Sequence, residues 1–195
     1  MMDFDKIIKQ EFTDNIELEY GIIHGNENIV FIKAGAGGSF YGYEDKYLKM
    51  ARLLNSINGC TVVCASNNDK TSFERYDVKI IQDFIAETTA PKLYYIGVSN
   101  GAVQGIMSAA EKYDFEHLLL INMPLMINYH KLMRKMEQVG TRITFVYGEK
   151  DPSAFYVPML QNRIKENVNI EIVPGADHQF KGMLDEFVNL GIKVF

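Results

Sequence analysis

Short runs of β-branched, aliphatic and aromatic residues alternate along this chain with longer amphipathic stretches, and this alternation constrains the fold more than any other feature. The segment from Asn28 to Lys33 has the composition of a buried strand, and Tyr43 to Ile57 has the apolar spacing of a helix face. Strands and helices that alternate in this way favour an α/β fold with a mostly parallel, doubly wound sheet covered by helices on both faces. The same pattern predicts strands over 60–65, 93–98, 117–122, 143–147 and 168–173, and helices over 78–87, 102–113, 129–138, 159–165 and 180–190.

The beginning of the chain and its length complete the predicted architecture. Ile16 to His24 alternates weakly and is expected to form an antiparallel edge strand or a hairpin. At 195 residues, the chain has the length of one domain, so we expect 1–195 to form a single domain with its own core. Cys60 and Cys64 fall on one face of a predicted strand, too far apart for a disulfide, and are expected to be small buried side chains.

The charge and the apolar pattern exclude several classes of partner. A formal net charge of −5 argues against a surface that binds the phosphate backbone of a nucleic acid. No apolar run approaches the length of a signal segment or a membrane span, so we expect a cytoplasmic protein without a membrane partner. The oligomeric state stays open at this stage.

A candidate nucleophile follows the predicted strand over 93–98. Residues 97–101 read Gly-Val-Ser-Asn-Gly and lie directly before a predicted helix. The pattern G-x-S-x-G, with a strand before it and a helix after it, is typical of a sharp turn that lifts a serine oxygen above the sheet. By itself the pentapeptide is a weak pattern, since Ser99 could also cap an ordinary turn. The amide of Asn100, the residue after the serine, is then the first expected donor of an oxyanion hole.

Two further polar residues follow later predicted strands. Asp151 comes after the strand over 143–147, and His178 lies between the last strand and the last helix. Each has a structural alternative, because Asp151 precedes Pro152 in a turn-forming pair and His178 could simply start a helix. Together with Ser99 they lie at the same edge of the predicted sheet, where a histidine can move the serine proton and a carboxylate can orient the histidine.

A glycine-rich loop, residues 34–38, follows the strand that begins at Asn28 and reads Ala-Gly-Ala-Gly-Gly. Its glycines let backbone amides approach a substrate carbonyl, so we expect the second oxyanion donor from this loop. A dinucleotide-binding fingerprint is the alternative, but it would need glycine in place of Phe40.

With these motifs the chain resembles the α/β-hydrolase family over nearly its whole length, from about Asn28 to the last helix. The order Ser, Asp, His agrees with the order in that family. Many members have a His-Gly-x-Gly-Gly loop, and here Ala34 replaces the histidine. The resemblance implies that Ala36 supplies the second oxyanion amide. It also implies a family member without a sizeable cap, because only residues 124–140 separate two consecutive strands where caps are inserted.

These observations predict a serine hydrolase that cleaves an ester or thioester of a small acyl substrate through an acyl–Ser99 intermediate, with no metal or organic cofactor. A peptidase or acyltransferase with the same triad, and a non-catalytic binding module with this fold, stay open as alternatives. The substrate pocket is expected to be open and lined by apolar side chains, namely Phe40, Tyr41, Met123, Leu125 and Phe155.

Overall fold

Eight strands form one sheet in the computed structural model, which describes residues 3–12, 16–68, 73–126, 129–162 and 165–195. The strands follow one another across the sheet in the order β1-β2-β4-β3-β5-β6-β7-β8. Their bounds are β1 Lys6–Phe12, β2 Ile16–Ile23, β3 Asn26–Lys33, β4 Cys60–Ala65, β5 Leu93–Val98, β6 Phe115–Ile121, β7 Arg142–Gly148 and β8 Val168–Val173.

The six strands from β3 to β8 are mutually parallel, which confirms the predicted doubly wound α/β sheet. The segment Ile16–His24, expected as an antiparallel edge strand or a hairpin, contains the single strand β2, which pairs antiparallel with β1 on one side and with β4 on the other, so the edge strand is β1. Sequence analysis placed no strand before residue 16 and therefore missed β1. Isolated hairpin strands give little apolar signal, because one face of an edge strand can point to solvent.

Helices cover both faces of the sheet. They are α1 Lys46–Asn58, α2 Val78–Ala86, α3 Asn100–Gln104, α4 Ala110–Lys112, α5 Tyr129–Gln138, α6 Val157–Gln161 and α7 Leu184–Leu190, and a π-helical turn at Gly105–Ala109 joins α3 to α4. On one face, α1 and α7 pack over the apolar cluster that includes Leu54 and Phe187. The helices from α2 to α6 enclose the cluster on the other face, which includes Ile81 and Leu132.

Several predicted helices have different bounds in the structure; α1, for example, begins at Lys46 and not at Tyr43. The last helix was expected from residue 180, but α7 begins at Leu184, because Phe180 and Gly182 have φ values of 57° and 73°, outside the helical region. The helix expected over 159–165 is α6, Val157–Gln161, and begins directly after a 3₁₀ turn that starts at Pro152. Residues 163 and 164 lie outside the described part of the chain.

Both cysteines are free and buried in β4, as expected, and all six residues of that strand are buried. A strand buried on both faces explains the continuous apolar run in the sequence. Within the described residues, no helix is long and apolar enough to cross a membrane.

A buried ion pair lies at the carboxyl end of β3. Lys33 Nζ is 2.8 Å from Asp77 Oδ2, and both side chains are almost fully excluded from solvent. The hydroxyl of Tyr20 donates to the other oxygen of Asp77, and Lys33 donates to the carbonyl of Ser66. Burial raises the pKa of the Asp77 carboxyl, and the Lys33 ammonium opposes this effect. The network ties β2, β3 and the residues before α2 together below the loop that follows β3.

Strand order reverses at β3, because β4 lies on one side of it and β5 on the other. Ligands of such sheets bind beyond the carboxyl ends of the strands at this reversal. The loop after β3 and the turn after β5 therefore meet where a ligand site is expected.

Candidate active site

Ser99 occupies the turn between β5 and α3 in a strained backbone conformation, with φ 52° and ψ −117°. Its N–H donates to the carbonyl of Ile121 at the end of β6, and its own carbonyl accepts from Ala102 in the first turn of α3. The turn is therefore fixed on both sides. Strained residues of this kind are retained where surrounding structure holds them, and they cluster at functional sites.

The two glycines of the motif allow this close approach. A Cβ at Gly97 would lie 2.6 Å from the Cα of Ala102, and one at Gly101 would lie 2.4 Å from the carbonyl oxygen of Lys33. Both neighbours are backbone atoms, which cannot move aside as a flexible side chain can. The spacing G-x-S-x-G thus has a steric cause in this chain.

His178 lies between Ser99 and Asp151. Its Nε2 is 3.2 Å from Ser99 Oγ, and its Nδ1 contacts Asp151 Oδ2. The Asp151 side chain is fully buried, whereas the His178 side chain is 38% exposed. The second carboxylate oxygen of Asp151 accepts from the N–H of Ser153 at 2.6 Å. The histidine is thus held by a buried carboxylate on one side and reachable from solvent on the other.

The adjacent acidic residue, Asp177, has a different set of partners. Its Oδ1 accepts from the backbone N–H groups of Gln179 and Lys181, at 2.9 and 3.0 Å. The backbone donor at Lys181 is the main cause that lowers the pKa of Asp177 below its usual range. Asp177 therefore stabilises its own loop, and Asp151 is the carboxylate that contacts His178.

Asn122, at the end of β6, positions the loop that contains His178. It is fully buried, has a positive φ of 49°, and donates to the carbonyl of His178 at 3.0 Å. Its side-chain oxygen accepts from the N–H of Gly148, at the end of β7, at 2.8 Å. The Asn122 side chain thus connects the loop that contains His178 to the end of β7, the strand that leads to Asp151.

The glycine loop at 34–38 passes close to Ser99. A Cβ at Gly35 would lie 3.2 Å from the Cβ of Ser99 and 3.8 Å from its hydroxyl oxygen. The loop therefore reaches the serine without a side chain between them.

Most amides of the glycine loop already have acceptors. Within the described part of the chain, the N–H groups of Gly35 and Ala36 donate to no backbone carbonyl. The N–H of Asn100 precedes the first intrahelical bond of α3, which is made by Ala102. Three other loop residues donate to backbone carbonyls, namely Ala34, Gly37 and Gly38.

A cavity of about 430 Å³ opens beside Ser99 and His178. Most of its lining comes from the glycine loop and from Ser39, Gly42, Tyr43, Lys46 and Tyr47. The apolar residues predicted to line the pocket lie elsewhere. These are Phe40, Met123 and Leu125, which are buried in the core, Tyr41, whose hydroxyl donates to Asp3, and Phe155, which is 83% exposed. The apolar side chains of Phe40, Met123 and Leu125 therefore pack in the core and do not form the cavity wall.

The sequence matches no protein-family model and no curated protein sequence. The fold, however, is similar to solved structures along the whole chain. An alpha-beta serine hydrolase homologue from Coxiella burnetii has a TM-score of 0.75 at 17% identity, with 97% of each chain covered. Est1E from Butyrivibrio proteoclasticus has a TM-score of 0.72 at 14% identity, with 96% of each chain covered. Dienelactone hydrolase from Anabaena variabilis has a TM-score of 0.67 at 16% identity, with 97% of each chain covered.

The chain has the α/β-hydrolase fold. Between β6 and β7, the described residues form a single helix, α5, so this α/β-hydrolase fold has no large cap domain, as the sequence predicted. The site beside Ser99 is correspondingly open to solvent. Among the described residues, no group of three or more His, Cys, Asp and Glu side chains is arranged to hold a metal ion.

Sequence analysis did not identify three residues near this site as candidate site residues, namely Lys46, Asn67 and Asn122. Asn67 and Asn122 follow the carboxyl ends of β4 and β6, a position that can signal a polar site residue in an α/β-hydrolase fold. Lys46 begins α1, and a lysine at a helix start gives no such signal in the sequence.

Proposed function

We propose that this chain is a serine hydrolase that cleaves esters or thioesters through an acyl–Ser99 intermediate. One observation carries the proposal: His178 bridges Ser99 Oγ and the buried carboxylate of Asp151 through its two ring nitrogens. A serine hydroxyl is a weak nucleophile until a neighbouring base accepts its proton, and an imidazole at 3.2 Å is within reach of that proton. Solved structures of the same fold that are named as an esterase domain and a thioesterase domain support this class of substrate.

In the acylation step, His178 Nε2 takes the proton of Ser99 Oγ while the oxygen attacks the substrate carbonyl. Asp151 accepts the hydrogen bond of Nδ1–H, which keeps the ring in the required tautomer and stabilises the imidazolium that forms. The imidazolium then gives its proton to the departing alcohol or thiol. Water attacks the acyl–serine in the second half of the reaction, again with His178 as the base, and releases the carboxylic acid.

The developing oxyanion needs donors that are aimed at it before the reaction begins. We assign this role to the backbone N–H groups of Ala36 and Asn100. Both lie on segments next to Ser99, and neither has an acceptor among the described residues that would compete with a substrate. Because the Ala36 donor is a backbone group, the histidine that Ala34 replaces is not required for it.

The test is covalent labelling with an alkyl fluorophosphonate, read by intact-protein mass spectrometry and peptide mapping. We expect one adduct, on Ser99, that is lost in Ser99→Ala. Ser56→Ala serves as the matched control, because Ser56 is an exposed serine on α1 and its variant should label like the native chain. A native chain that is folded but never labels would contradict the proposal and favour the binding-module alternative.

A panel of substrates then separates the activities that share this triad. Methyl and 4-nitrophenyl esters, acyl thioesters and a short peptide amide are compared at equal concentration, with and without an added alcohol as acyl acceptor. We expect the esters and thioesters to turn over fastest, with the free acid as product. Faster amide cleavage would indicate a peptidase, and preferential formation of the new ester would indicate an acyltransferase.

A further inference from the structure

Lys46 lines the same cavity as Ser99 and His178 although it is only 4% exposed. It is the first residue of α1, and its Nζ lies 4.4 Å from the ring centroid of Phe187 and 5.5 Å from that of Tyr47. Within the described residues, no carboxylate forms an ion pair or hydrogen bond with this ammonium group. Lys46 thus lines the cavity, and its buried ammonium is held by aromatic faces rather than by an ion pair.

The position is unfavourable for a positive charge. Burial lowers the pKa of the Lys46 ammonium to about 8. The amino end of a helix also carries a partial positive charge, and the nearest acidic residue in sequence, Asp45, precedes the helix as its N-cap and forms no side-chain cap hydrogen bond. Asp177 attracts the ammonium from the histidine loop, but its carboxylate is engaged by backbone N–H groups of that loop. Charged groups kept in such places are concentrated at functional sites.

The rest of the cavity is suited to a polar ligand. Backbone of the glycine loop and the side chains of Ser39 and Tyr43 contribute to its walls. The five apolar residues expected there from the sequence do not line it. A long alkyl chain would leave the hydroxyls of Ser39 and Tyr43 without water and without partners, whereas an anion could accept hydrogen bonds from them.

We propose that Lys46 forms an anion subsite and that the substrate of this hydrolase is a small ester or thioester with a carboxylate on one of its two halves. The inference rests on the proposed function, since it specifies the substrate of the same serine. The carboxylate accepts a charge-assisted hydrogen bond from Lys46 Nζ while the ester carbonyl lies at Ser99. Hydrolysis of monomethyl glutarate, for example, would consume one water and release methanol and glutarate.

The kinetic test compares matched pairs of esters that differ in charge. Monomethyl succinate, glutarate and adipate carry the carboxylate on the acyl half, and methyl butanoate, pentanoate and hexanoate replace it by a methyl group. Acetoxypropanoate and propyl acetate form the corresponding pair for the alcohol half. The quantity of interest is the ratio of kcat/KM for the anionic ester to that for its neutral partner, because changes in overall activity cancel in this ratio.

In the native chain we expect this ratio to exceed one for at least one pair, and to fall by about 10- to 100-fold in Lys46→Met, as for the loss of one hydrogen bond to a charged group. Lys46→Arg keeps the charge and should retain part of the preference. Lys49→Met is the matched control, because Lys49 lies on the same helix but does not line the cavity. Its ratio should equal that of the native chain. Equal ratios in the native chain and in Lys46→Met would overturn the proposal.

A binding measurement keeps this proposal separate from the proposed function. The Ser99→Ala chain, which cannot be acylated, is titrated with monomethyl glutarate and with methyl pentanoate by calorimetry. We expect tighter binding of the anionic ester, lost when Lys46→Met is added. Such binding together with an inactive, unlabelled native chain would refute the hydrolase and retain the subsite. Labelling of Ser99 without any anion preference in binding or kinetics would retain the hydrolase and refute the subsite.

Discussion

The side-chain amide of Asn67 donates to the side-chain oxygen of Asn100, 3.1 Å away, and the same amide donates to the carbonyl of Ala34 at 2.8 Å. Gln104, one turn further along α3, donates to the side-chain oxygens of both asparagines. The backbone carbonyl of Asn67 also accepts from the N–H of Gly37. Asn67 therefore joins the glycine loop to the residue that follows the nucleophile. These are the two segments to which we assign the oxyanion donors.

We expect Asn67→Ala to lower kcat by about 10- to 100-fold, somewhat less than the loss of an oxyanion donor itself, with a smaller change in KM. The reason is that the two donors lose their common support, which matters more for the transition state than for the bound ester. The measurement is steady-state kinetics together with the affinity for an alkyl boronate, which imitates the tetrahedral intermediate. Asn169→Ala, an exposed asparagine on β8, is the control. If Asn67→Ala reduces thermal stability but leaves kcat and boronate affinity unchanged, the role of Asn67 is structural only.

Asp151→Asn should reduce turnover by about 10⁴-fold, because an amide in this place favours the wrong tautomer of His178. Asp177→Asn is the matched comparison, since the two acids lie in neighbouring loops and only Asp151 contacts the imidazole. An asparagine at 177 can still accept the loop hydrogen bonds, so its effect on kcat should stay within about one order of magnitude. The reverse ranking in ester hydrolysis would mean that the carboxylate partner is misassigned.

Ser99→Gly should be at least as stable as Ser99→Ala, although glycine usually destabilises a folded chain by about 0.5–1 kcal/mol relative to alanine. The φ of 52° and ψ of −117° strain any residue with a Cβ by about 1–3 kcal/mol, and glycine removes that strain. Urea unfolding of the two inactive variants measures the difference. A glycine variant less stable than the alanine variant by the usual amount would show that the turn is not strained.

Asp77→Ala should destabilise the fold by about 3–5 kcal/mol, because it leaves the ammonium of Lys33 buried without its partner. Replacing both members, as in Lys33→Met with Asp77→Leu, should recover most of this loss, since no unpaired charge is left behind. Chemical denaturation of the single and double variants provides the comparison. A double variant as unstable as the single one would show that the shape of the site, and not the unpaired charge, is the dominant cost.

Lys46→Met should stabilise the protein, and the gain should depend on pH. The folded-state pKa of about 8 is below the usual lysine pKa of 10.5, so the unfolded chain binds more protons between these values. The native chain therefore becomes more stable as pH rises from about 8 to 10.5. The advantage of Lys46→Met is greatest below pH 8, up to about 3 kcal/mol, and shrinks above it. Unfolding free energies of both chains at pH 7 and pH 10 measure this, and an advantage that is constant with pH would contradict the shift.

Sequence patterns predicted the fold class because burial on both faces produces continuous apolar runs, as in β4, and helices on a sheet produce a regular apolar stripe. The bounds of α7 were missed because Phe180 adopts a positive φ that its residue type does not signal. Likewise, the pocket could not be predicted, since Phe40 and Met123 are as apolar as residues of a pocket wall but pack into the core.

The sequence by itself determined the strand–helix alternation, the glycines that the turn at Ser99 needs, and the candidate residues Ser99, Asp151 and His178. Periodicity and backbone sterics act over a few neighbouring residues, so they can be recognised along the chain. Only the tertiary structure decided which residues line the cavity. It also decided that Asn67 supports Asn100 and that Lys46 lines the cavity beside Ser99. These contacts join side chains that are distant in sequence, and they depend on strand order and loop conformation, which local patterns do not specify.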